Sequence, residues 1–291
     1  MGRMITGAAT QMACVWDKKQ NVDKAEQIVR EAVAEGAQLV LLQELFETPY
    51  FCIEQEHKHL ALATAIEENS TIKRFCDLAK ELEVVLPVSW FEKAGKAFFN
   101  SVAMIDADGR IMGVYRKTHI PNDVGYQEKL YFSPGDTGFR VWETRYGNVG
   151  IGVCWDQWFP EAARCMALMG AEILLYPTAI GSEINSDHDS VSHWQTVMQG
   201  HAAANLMPVV ASNRIGKEKA TASDDRLVFY GSSFIADYMG QKVKEANRTD
   251  QGVLTHQFDL DAIDSFRRQW HLFRDRRPEH YSAIMTLDGG D

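Results

Sequence analysis

Apolar residues in the first part of the chain follow two alternating spacings. Residues 4–10 are mostly apolar and predict a first strand. From Asn21 the apolar positions recur every three or four residues, which predicts an amphipathic helix that is capped by Asn21 and closed by Gly36. Residues 39–42 then form a continuous apolar run, which is typical of a strand covered on both faces. The predicted opening order is therefore strand, helix, strand.

The same alternation continues along the rest of the chain. A helix capped by Ser70 is followed by a strand at residues 84–90, and residues 100–105 and 111–116 flank a turn-rich segment that predicts an antiparallel hairpin. A charged loop is expected at residues 216–226. The later helices are predicted at residues 160–169 and 191–205, and the later strands at residues 149–153, 172–176, 208–212, 232–237 and 252–258.

Strands separated by helices, with hairpins between them, indicate an α/β fold. Because the apolar strands need cover on both faces, we expect a two-sheet sandwich flanked by helices. The chain has 291 residues, a length that allows one or two domains. It contains no Pro/Gly-rich linker, low-complexity stretch or internal repeat, so we expect one domain over residues 1–291.

Composition and charge narrow the range of partners. The formal net charge of −10 repels phosphate backbones, and the basic segment at residues 266–277 is short and interrupted by aromatic residues, so nucleic acid is not expected as a partner. No apolar run reaches the length of a membrane span, so no membrane is expected either. The cysteines are scattered and form no CxxC pair, which disfavours both disulfide bonds and a zinc site. We therefore expect the protein to be located in a reducing cytoplasm.

Three reactive side chains come at the ends of predicted strands: Glu44, Lys117 and Cys154. Side chains at strand ends of α/β folds collect in a crevice, where such proteins bind ligands. An isolated Glu or Lys there is more often solvated, and an isolated Cys more often packs in a core. Cys154, however, stands between an apolar strand and a predicted helix start, where the helix dipole favours a thiolate. We therefore expect Cys154 to be a nucleophile.

A cysteine nucleophile needs a proton acceptor, which is usually a histidine. His188, His193 and His201 have neither a spacing that suits this role nor one that suits a metal site, so no metal is expected. A carboxylate can replace the imidazole where burial raises its pKa, and a neighbouring lysine can balance charge and stabilise an oxyanion. Glu44 and Lys117 fit these two roles.

Four segments of the chain carry a recognisable pattern: LLQELFETPYF (41–51), YRKTHIPND (115–123), EKLYFSPGD (128–136) and GIGVCWDQWFPEAAR (150–164). Together, and in this order, they resemble the nitrilase superfamily of carbon–nitrogen hydrolases. The resemblance implies a four-layer α-β-β-α sandwich. It also implies that Glu44 is the general base, Lys117 the oxyanion-stabilising lysine and Cys154 the nucleophile. Glu128 matches a second glutamate near the catalytic centre, which orients Lys117.

Three later segments resemble one branch of this superfamily: YPTAIGSE (176–183), HWQTVMQGHAAAN (193–205) and VVASNRIG (209–216). That branch implies hydrolysis of the cationic substrate N-carbamoylputrescine to putrescine, carbon dioxide and ammonia, in polyamine biosynthesis from agmatine. The reaction runs through a cysteine thioester and needs no metal or organic cofactor. Family members usually form homo-oligomers built from dimers, which would place the segment from about residue 260 in subunit contacts.

Substrate-binding residues have weaker sequence signals. We expect Glu183, with Asp187 behind it, to bind the distal amine of the substrate, although solvated loop acids have the same pattern. Alternatives are another amide substrate, as in an ω-amidase or a β-ureidopropionase-like enzyme, and a non-catalytic binding protein on the same fold. Further pocket residues are expected next to the catalytic motifs: Tyr50, Asn122, Tyr126 and Trp155, the last through its backbone N–H.

Overall fold

Strands and helices alternate along the chain, and the computed structural model describes residues 2–182, 184 and 189–290. Short 3-10 helices include Glu128–Leu130 and Cys154–Trp158. The helices are α1 (Lys18–Ala34), α2 (Ser70–Leu82), α3 (Pro160–Leu168), α4 (Val191–Asn205) and α5 (Leu260–Trp270). The strands are β1 (Met4–Met12), β2 (Leu39–Leu41), β3 (Leu86–Ala94), β4 (Ala97–Ile105), β5 (Ile111–Arg116), β6 (Val141–Thr144), β7 (Gly147–Ile151), β8 (Ile173–Pro177), β9 (Val209–Lys219), β10 (Arg226–Tyr230), β11 (Phe234–Ala236), β12 (Lys242–Glu245) and β13 (Gly252–Asp259).

The first sheet brings the two ends of the chain together. β1 pairs with β2 in parallel and with β13 in antiparallel orientation. β3, β4 and β5 form an antiparallel meander. Val85, just before β3, connects this meander to β2, because its N–H donates to the carbonyl of Gln38 and its carbonyl accepts from the N–H of Val40.

The second sheet has the strand order β12-β11-β9-β8-β7-β6. Its central strands β7, β8 and β9 are parallel neighbours, so their carboxyl ends meet at one edge of the sheet. β1 also pairs with β9, where Gln11 faces Asn213 and Met12 faces Arg214. This pairing joins the two sheets at one corner.

Buried apolar clusters define four layers. One cluster lies between the sheets and contains Leu41, Val102 and Ile151. Another packs α1 and α2 against the outer face of the first sheet, and a third packs α3 and α4 against the outer face of the second. The predicted four-layer α-β-β-α sandwich is therefore confirmed. Among the described residues, no helix is both long and apolar enough to cross a bilayer.

Two helix starts differ from the sequence prediction. α1 is capped by Asp17, whose carboxylate accepts a backbone N–H of the first turn, and not by Asn21. Asn21 lies inside the helix, and its amide donates to the carbonyl of Glu47. α2 is capped by Asn69, and Ser70 is its first helical residue. Asn21 has a distant partner, and such a polar residue looks the same in sequence as a cap. Ser70 directly follows Asn69, and both residue types are common caps, so the pattern did not separate them.

The segment predicted as a charged loop, residues 216–226, is largely a hairpin. β9 extends to Lys219 and pairs with β10 in antiparallel orientation from Arg226 onward. Several side chains of this hairpin are exposed and charged, so the segment lacks the apolar run that marks β2. An exposed hairpin of this kind carries a weak hydrophobic signal.

Candidate active site

The side chains of Glu44, Lys117 and Glu128 converge on one buried point. Lys117 directly follows β5, and its Nζ lies 2.9 Å from Glu44 Oε1. The same Nζ lies 2.9 Å from Glu128 Oε1 and 2.7 Å from Glu128 Oε2. All three side chains are fully buried. A lysine between two carboxylates is the arrangement that the sequence predicts for Glu44 and Lys117, with Glu128 orienting the lysine.

Two further side chains hold the carboxylates in place. Asn100 on β4 donates from Nδ2 to Glu44 Oε1 at 2.6 Å, and Tyr50 donates from its hydroxyl to Glu128 Oε1 at 2.6 Å. Glu44 Oε2 is buried and has no hydrogen-bond partner among the described residues. One oxygen of Glu44 is therefore fixed, while the other is open to accept a proton.

Burial and charge decide the protonation of the lysine and the second glutamate. Burial disfavours an ammonium, but the Glu128 and Glu44 carboxylates outweigh this effect and raise the pKa of Lys117 well above its usual value. Burial raises the pKa of Glu128 to about 7, although the Lys117 ammonium opposes the shift. Lys117 therefore stays a cation at neutral pH, and Glu128 titrates there.

Cys154 lies close enough to Glu44, Lys117 and Glu128 to interact with their charges. Burial raises the pKa of its thiol well above the usual value, and the Glu44 carboxylate raises it further. Burial therefore outweighs the effect of a helix start, which by itself favours a thiolate. Cys154 begins the short 3-10 helix Cys154–Trp158 and not α3, and the burial of the thiol dominates. A buried thiol of this kind needs a base to become a nucleophile.

The backbone around Cys154 is bent sharply. Cys154 has φ +45°, a left-handed conformation that non-glycine residues rarely adopt. Asp156 stabilises the bend, since its Oδ2 accepts from the Val153 N–H at 2.9 Å and from the Tyr115 hydroxyl at 2.7 Å. A side chain at Gly152 would come within 2.9 Å of the Tyr176 ring, so the approach requires glycine. Strain of this kind is typical of a residue held for function.

A cavity of about 580 Å³ opens onto Cys154. Of the predicted pocket residues, Asn122, Tyr126 and Trp155 line this cavity. Tyr50 is not among the described residues that line it; instead its hydroxyl contacts Glu128. The other lining residues are Pro121, Asp123, Val124, Gln157, Trp158, Ile180, Gly181, Ile184, Ser190 and His193. The volume suits a small molecule.

Glu183 and Asp187, the predicted amine-binding acids, lie outside the described residues, as does His188. Within the described part of the chain, no group of His, Cys, Asp and Glu side chains is arranged to hold a metal ion. His201 is buried and bonds through Nε2 to the carbonyl of Gln157 at 2.8 Å. This histidine therefore has a structural contact beside the cavity wall.

Sequence reasoning missed four residues that support the site. Asn100 contacts Glu44, and Asp156 contacts the backbone at the Cys154 bend. The buried pair of Arg214 and Glu218 contacts the chain around Glu44. Asp156 and Arg214 carried a signal, because a charged residue within a buried segment needs a partner. Asn100 carried none.

Comparison with known proteins places these features in a family. The sequence profile of the family described as "Carbon-nitrogen hydrolase" matches residues 7–268. An N-carbamoylputrescine amidase of Oryza sativa subsp. japonica is 55% identical over 291 residues, which cover 99% of this chain and 97% of that relative. A citrullinase of Francisella tularensis subsp. tularensis is 53% identical over 280 residues, which cover 96% of this chain and 97% of that relative.

A solved structure agrees with these sequence matches. The crystal structure of a carbon–nitrogen hydrolase from Helicobacter pylori G27 superposes with a TM-score of 0.92 at 39% identity, and covers 98% of this chain and 99% of that one. The family profile spans most of the chain, from β1 to α5, and the fold and the buried Glu44–Lys117–Glu128 cluster agree with the predicted resemblance. This chain is therefore a member of the carbon–nitrogen hydrolase family, within the nitrilase superfamily.

Proposed function

We propose that the protein hydrolyses N-carbamoylputrescine to putrescine, carbon dioxide and ammonia. The observation that carries this proposal is the buried cluster of Glu44, Lys117 and Glu128 beside Cys154, at a cavity that suits a small substrate. The choice of substrate is supported by the 55% identical relative from Oryza sativa, which carries the name of this activity.

The first half of the proposed reaction forms a covalent intermediate. Glu44 Oε2 takes the proton of the Cys154 thiol while the sulfur attacks the carbamoyl carbon of the substrate. The Lys117 ammonium and the backbone N–H of Trp155 donate to the oxyanion. Glu44 then returns the proton to the departing nitrogen, and ammonia leaves. The product is a thioester in which Cys154 carries the carbonyl group and the attached diamine.

The second half regenerates the thiol. Glu44 takes a proton from a water molecule, whose oxygen attacks the thioester carbonyl. The carbon–sulfur bond breaks, the proton returns to Cys154, and an N-carboxyamine is released, which loses carbon dioxide to give putrescine. Glu128 keeps the Lys117 ammonium beside the reacting carbonyl in both halves.

The distal amine of the proposed substrate is a cation, and it needs an acidic or aromatic environment. We propose Glu183, with Asp187 behind it, for this role, as the sequence suggests. Asp123, Trp155 and Trp158 line the described part of the cavity and suit a cation as well. Asn122 and Tyr126 complete the proposed binding wall.

A second candidate substrate is citrulline, and the 53% identical citrullinase favours it. Both substrates end in the same carbamoylated amine, so the proposed mechanism serves both. They differ at the distal end, where citrulline carries a carboxylate beside its amine. A pocket built for a cation leaves that carboxylate without a partner, which disfavours citrulline.

Ammonia release from three substrates at equal concentration tests the substrate choice: N-carbamoylputrescine, citrulline and β-ureidopropionate. We expect kcat/KM for N-carbamoylputrescine to exceed the other two by about 100-fold, the size of effect that one unpaired buried charge produces. The variant Cys154→Ala is the control and should release no ammonia. Faster hydrolysis of citrulline or β-ureidopropionate would contradict the proposed substrate, and equal rates for the wild type and Cys154→Ala would contradict an enzymatic function.

We also propose a cytoplasmic homo-oligomer of a one-domain chain, with subunit contacts through the segment from about residue 260. Exposed apolar side chains in this segment support the contact. Trp270 is 60% exposed, Ile284 61% and Met285 82%. Light scattering should give the mass of a dimer or a multiple of it, and truncation before Pro278 should reduce that mass; a monomeric wild type would contradict the proposal.

A further inference from the structure

The segment from Glu44 to Tyr50, here called the base segment, links both carboxylates of the proposed catalytic centre. Glu44 begins the segment, and Tyr50 ends it with a hydroxyl that donates to Glu128 Oε1 at 2.6 Å. The segment consists of turns, and Leu45 has φ +48°. Non-glycine residues rarely adopt this conformation, so the surrounding structure must hold the segment in shape.

Arg214 on β9 supplies much of this support. Its side chain is fully buried. Nη2 donates to the carbonyls of Glu44 and Leu45 at 2.8 and 3.1 Å, and Nη1 donates to the carbonyl of Thr48 at 3.3 Å. A guanidinium has donors fixed in one plane, so these three carbonyls must keep one relative arrangement.

Glu218, also on β9, pairs with Arg214 and contacts the far end of the base segment. Its Oε1 and Oε2 lie 2.9 and 3.1 Å from Arg214 Nη1. Oε2 also accepts from the backbone N–H of Tyr50 at 2.5 Å. The buried ion pair therefore contacts the chain at Glu44 and at Tyr50, although neither of its members belongs to the catalytic cluster.

The same hairpin reaches the edge of the cavity. Val228 on β10 accepts from the Ser182 N–H at 2.8 Å. At the tip of the hairpin, the backbone N–H of Thr221 donates to Glu54 at 2.8 Å. The hairpin that carries Glu218 is therefore hydrogen-bonded to Glu54, which follows the base segment, and to Ser182, which lies beside the cavity.

We propose that Arg214 and Glu218 are positioning residues for the reaction, which place Glu44 against Cys154 and, through Tyr50, place Glu128 against Lys117. This inference rests on the proposed role of Glu44 as the base. A merely stabilising role is the competing explanation, but buried ion pairs can often be replaced by apolar or neutral residues without loss of stability. Activity and stability should therefore separate.

The double variant Arg214→Met/Glu218→Gln tests this separation. It removes both charges together, and the amide introduced by Glu218→Gln keeps an acceptor for the Tyr50 N–H. We expect cooperative thermal unfolding, a kcat lower by about 100-fold and a KM within about threefold of wild type, because a small displacement of a base has an effect of that size. A folded double variant with a kcat within about twofold of wild type would overturn the proposal.

Alkylation of Cys154 by iodoacetamide, followed by peptide mass spectrometry, gives a readout without the substrate. Cys165 is exposed and serves as the internal reference. We expect about 100-fold slower alkylation of Cys154 in the double variant and no change at Cys165. If N-carbamoylputrescine is not hydrolysed, the proposed function fails, while this comparison still decides the positioning role.

Two further variants complete the experiment. Arg267→Lys is the matched control, because Arg267 donates to the carbonyl of Leu206, another leucine with positive φ, away from the site. It should leave Cys154 alkylation unchanged. Arg214→Lys alone decides the question if the double variant does not fold, because it keeps a positive charge beside Glu218 but loses the planar set of donors; we expect about 10-fold slower alkylation of Cys154, and an unchanged rate would overturn the proposal.

Discussion

The buried cluster beside Cys154, here called the floor, and the mouth of the cavity differ in how their side chains are held. The floor consists of Glu44, Lys117 and Glu128, which are not among the described residues that line the cavity but are fully buried and joined by hydrogen bonds of 2.7 to 2.9 Å. The cavity mouth contains Val124 and Trp155, which are 55% and 39% exposed. Charges in the floor act out of contact with bulk solvent, whereas Val124 and Trp155 in the mouth are open to it.

Because of this difference, we expect changes in the two regions to affect different kinetic parameters. A change in the floor removes a charge whose partner stays buried, so it should lower the rate for every substrate. A change in the mouth alters contacts with the distal end of one substrate, so it should change KM and substrate preference. Variants of the two regions therefore test whether the floor sets the rate and the mouth sets the substrate preference.

The largest effect is expected for Cys154→Ala. Without the sulfur no thioester can form, so kcat should fall by at least about 10⁴-fold. The same substitution at Cys52, which is also buried, is the matched control and should keep most of the activity. Ammonia release measures both. Comparable losses of kcat in the two variants would argue against Cys154 as the nucleophile.

Glu44→Gln should come next, with a kcat lower by about 10³-fold, because an amide keeps the bond from Asn100 but cannot accept a proton. Glu47→Gln, a buried acid of the same segment that pairs with Lys18, is the control. Stopped-flow measurement of thioester formation should slow only in Glu44→Gln. Equal rates in both variants would argue against Glu44 as the base.

Glu128→Gln should lower kcat/KM by about 100-fold at pH 8 and change the pH profile. The pKa of Glu128 is about 7, so in wild type kcat/KM should rise with pH through about 7 as the carboxylate forms and holds Lys117. Gln cannot titrate, so this limb should vanish in the variant. A limb that persists near pH 7 would assign the titration to another group.

The free energy of unfolding should fall as the pH rises and Glu128 ionises, whereas kcat/KM should rise. Its pKa of about 7 in the folded protein lies above the ordinary value of 4.5, so the native state binds the proton more tightly than the unfolded state. The stabilisation is complete below pH 4.5 and is lost as the pH rises to about 7. Urea unfolding of wild type and Glu128→Gln should therefore show a stability difference that changes over this range; a constant difference would contradict the raised pKa.

The smallest effect is expected in the mouth. Trp155→Ala should raise KM for N-carbamoylputrescine by about 10-fold and leave kcat within about threefold, because we propose that the indole, which lines the cavity, contacts the substrate before and during the reaction, while the backbone N–H remains. Val124→Ala, at the same rim, should change little. Steady-state kinetics distinguish the two variants. A large loss of kcat in Trp155→Ala would contradict the separate roles of floor and mouth.

The same division explains what could be predicted from the sequence. Glu44 comes shortly after the apolar run of β2 and Lys117 directly follows β5, which is a local signal. Asn100 contacts Glu44 from a distant position and is identified only by the fold. The charge of Arg214 in a buried segment indicated that it needs a partner, but only the fold shows that the partner is the chain around Glu44. The state of the Cys154 thiol also depends on burial, which the sequence pattern did not reveal. Among the elements, the continuous apolar run of β2 and the buried first part of β9 were predictable, and the more exposed extension of β9 to Lys219 with its partner β10 was not.

Mass spectrometry of the acid-quenched enzyme after brief incubation with N-carbamoylputrescine tests the central claim most directly, namely that Cys154 attacks the carbamoyl carbon. We expect an adduct on the Cys154 peptide with the mass of the substrate less ammonia, which forms in wild type and is absent in Cys154→Ala. Hydrolysis in which Cys154 is not modified, or an adduct on another cysteine that forms at the rate of turnover, would contradict it.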